Sequence, residues 1–147
     1  MDQASAPDTQ RLHASAVAIG GRALVITGAS GSGKSSLALD LMSRGAVLVG
    51  DDQVILERVD QQIFVRGEPR LAGLIEARGI GLLRADCVPR AQVIAVVSLD
   101  KTETERLPER HTTMLLGEPI PLLFKVQSPL FSAGLRQYMI AGRGEPE

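Results

Sequence analysis

Residues 28–35, Gly28-Ala29-Ser30-Gly31-Ser32-Gly33-Lys34-Ser35, have the types and spacing needed to hold a chain of phosphates. They match the pattern G-x-x-x-x-G-K-[ST] in full. Gly31 and Gly33 permit backbone conformations that turn successive N–H groups inward, forming a nest for phosphate oxygens. A helix starting near Lys34 would aim its positive end at the same anion. Lys34 can reach the β- and γ-phosphates, and the Ser35 hydroxyl can coordinate Mg²⁺. Ser36 completes the nucleotide-binding stretch. Phosphate binding alone does not name a reaction, because many kinases and nucleotide hydrolases share such a loop.

The next reactive pair is Asp51-Asp52, sixteen and seventeen residues beyond Ser35. It follows a short apolar strand, and in open α/β sheets ligands gather at the carboxyl ends of strands. One carboxylate can help hold Mg²⁺ and the other can accept a hydroxyl proton during transfer. Adjacent strand residues face opposite ways, so only one serves directly unless the chain bends.

These residues need elements to place them. Val17-Ala-Ile19 and Ala23-Leu-Val-Ile-Thr27, split by Gly20-Gly21, predict a β-hairpin leading into the loop. Leu37, Leu41 and Met42 predict a helix over 35–44 closed by Gly45. Val47–Val49 is a buried strand, and residues 54–56 and 62–65 form two more about a turn at Asp60. Residues 71–76 read as a short helical or irregular piece, and 92–99 as the clearest strand of the second half. Lys101 to Arg110, charged around Pro108, reads as a solvated loop that includes Arg106. Leu130, Phe131, Leu135, Tyr138 and Met139 predict a C-terminal amphipathic helix within 128–143, whose apolar face suits core packing, the preferred reading, or a subunit contact. Residues 1–10 read as a flexible N-terminus and 11–147 as one α/β domain.

The whole-chain figures narrow the function classes. The chain has 147 residues, enough for one hydrophobic core. Its net charge of −1 argues against a general nucleic-acid binder. No apolar run approaches the roughly 20 residues of a membrane-spanning helix, and the first residues lack a signal-peptide pattern. A single cysteine, Cys87, forms no internal disulfide and reads as an inert small hydrophobe, so a cytoplasmic setting is expected.

Three motifs in order then resemble the kinase domain of the HPr kinase/phosphorylase family. The first runs from His13 through the strand pair and the loop to Ser36. The second is Arg44-Gly45-Ala-Val-Leu48-Val49-Gly-Asp51-Asp52, and the third is Leu74-Ile75-Glu76-Ala-Arg78-Gly79-Ile80-Gly81. The resemblance covers residues 13–81 and weakens beyond them. It implies an ATP- and Mg²⁺-dependent kinase acting on a seryl hydroxyl of the small phosphocarrier protein HPr. It also implies a P-loop fold related to the phosphoenolpyruvate carboxykinase core, with a mixed sheet, flanking helices and hexameric assembly. By the same resemblance the chain is a short form without the extra N-terminal domain of fuller members.

Carried over residue by residue, His13 matches an active-site histidine and Glu76 a second Mg²⁺ ligand. The Asp51/Asp52 pair supplies the base; spacing leaves their division open, and the preferred assignment makes Asp51 the base and Asp52 the metal-side group. Arg78 either neutralises phosphate charge or pairs with Glu76, and Arg106 corresponds to a further catalytic arginine. His111 matches nothing and reads as a loop residue. The family's late Gly-Arg loop, tied to reverse phosphorolysis, is replaced by Pro121 to Pro129. Two other functions fit a phosphate loop: an ATP-sensing regulator without transfer, and a small-molecule kinase. The latter gives no reason for the Glu76–Gly81 motif.

Overall fold

The computed structural model describes residues 8–144 as eleven strands and two α-helices. Strand β1 spans Thr9–Leu12, β2 Ser15–Ile19 and β3 Arg22–Thr27, followed by helix α1 over Lys34–Ser43. Then come β4 (Val47–Gly50), β5 (Val54–Val59), β6 (Gln62–Gly67), a 3-10 turn at Pro69–Leu71, β7 (Leu74–Ala77) and β8 (Gly81–Arg84). The last elements are β9 (Ala91–Thr102), β10 (His111–Leu115), β11 (Glu118–Lys125) and α2 (Phe131–Ala141).

Nine strands form one mixed sheet in the order β1-β5-β6-β9-β3-β2-β4, with the β10–β11 hairpin attached along β9. The long β9 is its spine. It runs parallel to β3 on one edge, and on the other meets β6 antiparallel at its start and β11 in parallel farther along. Strands β7 and β8 form a separate hairpin.

Alternation along the strands divides the core into two faces. Val17, Leu24, Ile26, Leu48, Ala95 and Val97 pack with Ala38 and Leu41 of α1 and Leu135 and Met139 of α2. The intervening Ala16, Ala18, Ala23 and Val25 meet Val54, Leu56, Ile63 and Val65 on the opposite face. Leu24, Ile26 and Leu41 are fully buried, so truncating any one to Ala would cost about 2–5 kcal/mol. The layers therefore clamp β3 and α1, the two elements that flank the glycine-rich loop.

Local chemistry explains the boundaries. Gly20 (φ 57) and Gly21 (φ 77) supply the left-handed turn joining β2 and β3. Helix α1 ends where Gly45 takes φ 106: its N–H donates to the Met42 carbonyl and that of Ala46 to Leu41, the bond pattern of a Schellman cap.

Several expectations need correction. Thr9 and Gln10 belong to β1, paired with Glu57 and Leu56, rather than to a flexible segment; residues 1–7 lie outside those described. Leu71 closes the 3-10 turn and 72–73 are irregular, but residues 74–77 form a strand, where buried Ile75 and Ala77 alternate with exposed Glu76. Lys101 and Thr102 extend β9, and only 103–110 form the charged loop. Cys87 is exposed rather than packed as a small hydrophobe. Leu130 precedes α2 and is 70% exposed, whereas Leu135 and Met139 are core residues as expected. His111 opens β10, stacks on Phe124 at 4.5 Å and meets the Glu103 carboxylate at 3.2 Å, so it is no solvated loop residue.

Candidate functional site

The loop leaves β3 at Gly28 and enters α1 at Lys34. Gly28 (φ 152), Gly31 (φ 82) and Gly33 (φ 102) all sit on the glycine side of the backbone map. A Cβ on Gly28 would lie 2.5 Å from Ser32 Oγ, so the tight turn also excludes any side chain there. Gly33 is the N-cap of α1 and no side chain caps that end. The first N–H groups of the helix find no partners within it and are free to bind an anion. Lys34 is buried to 8% exposure, and its Nζ donates to the carbonyls of Gly28 (2.7 Å) and Ala29 (3.1 Å), bridging the mouth of the loop.

One cavity of about 190 Å³ gathers most of the residues expected from sequence. Ser30, Gly31, Gly33, Lys34, Ser35 and Ser36 form its loop side. His13, Ser15, Asp52, Glu76 and Arg78 complete its lining. Gly28, Ala29 and Ser32 shape the loop from outside the cavity lining. Arg106 lies in the 103–110 loop, exposed, and lines neither this cavity nor the groove beside it. Arg106 thus does not join the other candidates in lining the cavity.

The two aspartates occupy different environments. Asp51 is 4% exposed and accepts three hydrogen bonds: from Ser15 Oγ (2.5 Å), from Ser35 Oγ (2.8 and 2.9 Å to its two oxygens), and from the Glu76 N–H (3.1 Å). Asp52 has φ 70, a left-handed conformation that Asp tolerates better than most residues. That bend lets neighbouring carboxylates avoid the strict opposition of a straight strand. The Asp52 side chain is 63% exposed, and Oδ1 lies 2.9 Å from His13 Nε2.

The two carboxylates therefore differ in access, a difference that spacing could not show. Asp51 is 4% exposed and enclosed by donors, although it lines the groove beside the cavity, whereas Asp52 is open and backed by an imidazole. Asp51 instead fixes the Ser35 hydroxyl.

Backbone proximity makes the arrangement possible. A Cβ on Gly50 would lie 2.9 Å from Gly67 Cα, and one on Gly67 would lie 2.6 Å from the Val49 carbonyl. The ends of β4 and β6 therefore approach closely just before the chain turns into Asp51. Arg78 has no ionic or hydrogen-bond partner among the described residues, which leaves its guanidinium available to charge in the cavity rather than bound to Glu76.

Two polar residues escaped the sequence reading. Ser15 is fully buried against Asp51, and its signal was its place two residues after His13 in the sequence. Asp100 accepts the Ala29 N–H at 2.9 Å and ties the loop to β9. Its position on the parallel strand beside β3 was the available clue.

A larger groove of about 760 Å³ adjoins the cavity and shares Ser35, Asp52, Glu76 and Arg78 with it. Its outer wall is the β7–β8 hairpin with Leu71 and Leu74, and it displays Ile80 (75% exposed) and Leu82 (64% exposed). No helix of the described residues is long and apolar enough to cross a membrane.

Comparison with known proteins places the chain in a family. The family model described as HPr Serine kinase C-terminal domain matches residues 4–114. An HPr kinase/phosphorylase of Acidovorax sp. (strain JS42) is 39% identical over 127 residues, covering 77% of this chain and 40% of that protein. The HPr kinase/phosphorylase of Prosthecochloris aestuarii is 33% identical over 127 residues, covering 78% and 37%. The chain thus spans about two-fifths of the length of these relatives. The solved structure of the Hpr(Ser) kinase/phosphatase from Coxiella burnetii superposes with a TM-score of 0.74 at 25% identity, covering 89% of this chain and 97% of that one.

Proposed function

Because the chain belongs to the HPr serine kinase C-terminal domain family, we propose that it is an ATP- and Mg²⁺-dependent kinase that phosphorylates a serine of an HPr-type phosphocarrier protein. The observation that carries this reading is the meeting of two groups in the lining of one cavity: Lys34 with the loop, and the His13–Asp52 pair. The first holds a phosphoryl donor and the second receives a proton from the acceptor.

In this reading the loop N–H groups and the start of α1 bind the phosphate oxygens, and Lys34 exchanges its carbonyl partners for them. The donor set suits Mg²⁺ shared with a nucleotide. Ser35 and Glu76 offer hard oxygens on one cavity. No group of three or more His, Cys, Asp or Glu among the described residues is arranged to hold a metal alone. That matches an ion that keeps phosphate and water ligands. Mg²⁺ bound there would neutralise charge on the phosphoryl oxygens.

Asp52 accepts the proton of the seryl hydroxyl, with His13 orienting its carboxylate. Arg78 adds positive charge to the cavity lining. The groove beside Asp52, with Ile80 and Leu82 on its rim, favours a protein acceptor over a small molecule. Kinship with the phosphoenolpyruvate carboxykinase core, hexameric assembly and a cytoplasmic setting belong to the same proposal.

Asp52→Asn tests the assignment. Transfer to HPr should fall about 10²–10⁴-fold, the usual worth of a general base, while calorimetry still detects nucleotide binding. Full transfer by that variant would contradict the proton-acceptor role. Partner regulation that survives unchanged without any transfer would favour an ATP-sensing regulator.

A further inference from the structure

We propose that Ser15 is a positioning residue: through Asp51 it fixes the Ser35 hydroxyl in the orientation that receives a divalent cation. This inference rests on the nucleotide–metal reading above. Ser15 is fully buried and Asp51 nearly so, yet no cation pairs with Asp51 among the described residues. The carboxylate is held by neutral donors. Its Oδ1 takes Ser15 Oγ at 2.5 Å and Ser35 Oγ at 2.8 Å, and its Oδ2 takes Ser35 Oγ at 2.9 Å and the Glu76 N–H at 3.1 Å. Ser35 has one proton, and both nearby acceptor oxygens belong to Asp51. With that proton committed, the oxygen lone pairs face the cavity that Ser35 lines.

Ser15 and the Glu76 N–H therefore brace the carboxylate from its two ends. The second is backbone, so Ser15 is the brace a substitution can remove. The segment His13-Ala14-Ser15 thereby engages the two aspartates separately: His13 takes the exposed Asp52, and Ser15 takes the buried Asp51.

The test measures ADP binding by calorimetry with and without Mg²⁺, and needs no phosphotransfer. Wild-type protein should bind ADP more tightly when Mg²⁺ is present. Ser15→Ala should lose about tenfold of that Mg²⁺-dependent gain, the effect expected from one hydrogen bond to a charged group, with metal-free ADP affinity unchanged. Ser15→Thr and Ser15→Val add the same bulk and differ only in the hydroxyl. Thr should keep the gain and Val should lose it, and this pair carries the comparison if the Ala variant fails to fold. An unchanged gain in Ser15→Ala, or equal behaviour of Thr and Val, overturns the inference alone. Absence of any Mg²⁺-dependent gain in wild-type protein overturns the nucleotide–metal reading beneath it.

Discussion

Asp51 and Asp52 are chemically identical and one bond apart in the chain, yet their surroundings give them separate work. Burial with three donors suits Asp51 to holding a hydroxyl still, and exposure beside His13 suits Asp52 to receiving a proton. The same neutral substitution should therefore fail differently at the two positions. Asp51→Asn places an amide NH₂ among groups that are themselves donors, so it should lower unfolding free energy by about 1–3 kcal/mol in urea melts. Asp52→Asn, at an exposed site, should leave the melt within about 0.5 kcal/mol of wild type. Equal melts for the two variants would contradict the division. In the sequence, the Asp pair and its distance from Ser35 were legible. Which carboxylate faces the cavity was not, because that depends on the left-handed turn at Asp52 and on donors from β2 and β7.

At the scale of elements, close backbone approaches decide where the site sits. Gly67→Ala would drive a Cβ to within 2.6 Å of the Val49 carbonyl, a backbone atom with no room to yield. It should cost about 1–3 kcal/mol in urea denaturation, and it should weaken Mg²⁺-dependent nucleotide binding by moving β4 away from β6. Gly28→Ala acts on the loop instead, where φ 152 and the Ser32 hydroxyl oppose a side chain. Its nucleotide affinity should fall at least about tenfold, read by calorimetry; wild-type affinity would contradict the tight turn. Elements with strong local signals were readable in advance: the diglycine hairpin, α1 with its Gly45 cap, and β9. The β10–β11 hairpin was not, since Pro119 and Pro121 within β11 remove ladder donors and disguise a strand. The β7 strand was missed because its four residues are too short for the buried–exposed alternation of Ile75-Glu76-Ala77 to stand out.

Across the whole molecule, long-range ion pairs tie the sheet's outer parts to its centre. Arg11 of β1 hydrogen-bonds the buried Glu68 beyond the end of β6, and Arg70 lies 3.3 Å from the same carboxylate. Arg11 is the chief cause that holds Glu68 below its ordinary value of 4.5, followed by Arg70 among the lowering contacts. Glu103 is lowered chiefly by the Glu105 N–H, with His111 and the Thr104 N–H assisting. Carboxylates depressed by folding add stability above their unfolded values, and lose it as pH falls through the folded ones. Stability should accordingly decline below about pH 4.5. Glu68→Gln and Glu103→Gln should each flatten that acid limb in pH-dependent melts, and an unchanged limb would contradict the pairing. No sequence pattern linked Arg11 to Glu68, which are 57 residues apart and meet only through sheet order. The single α/β domain and the phosphate loop, by contrast, rest on local patterns that the chain displays openly. The central claim is a transfer reaction, so its most direct measurement is mass spectrometry of an HPr-type carrier incubated with this protein, ATP and Mg²⁺. A single added phosphate on a serine of the carrier, lost when Asp52 is changed to Asn, is the predicted result. An unmodified carrier, with nucleotide demonstrably bound, would contradict it.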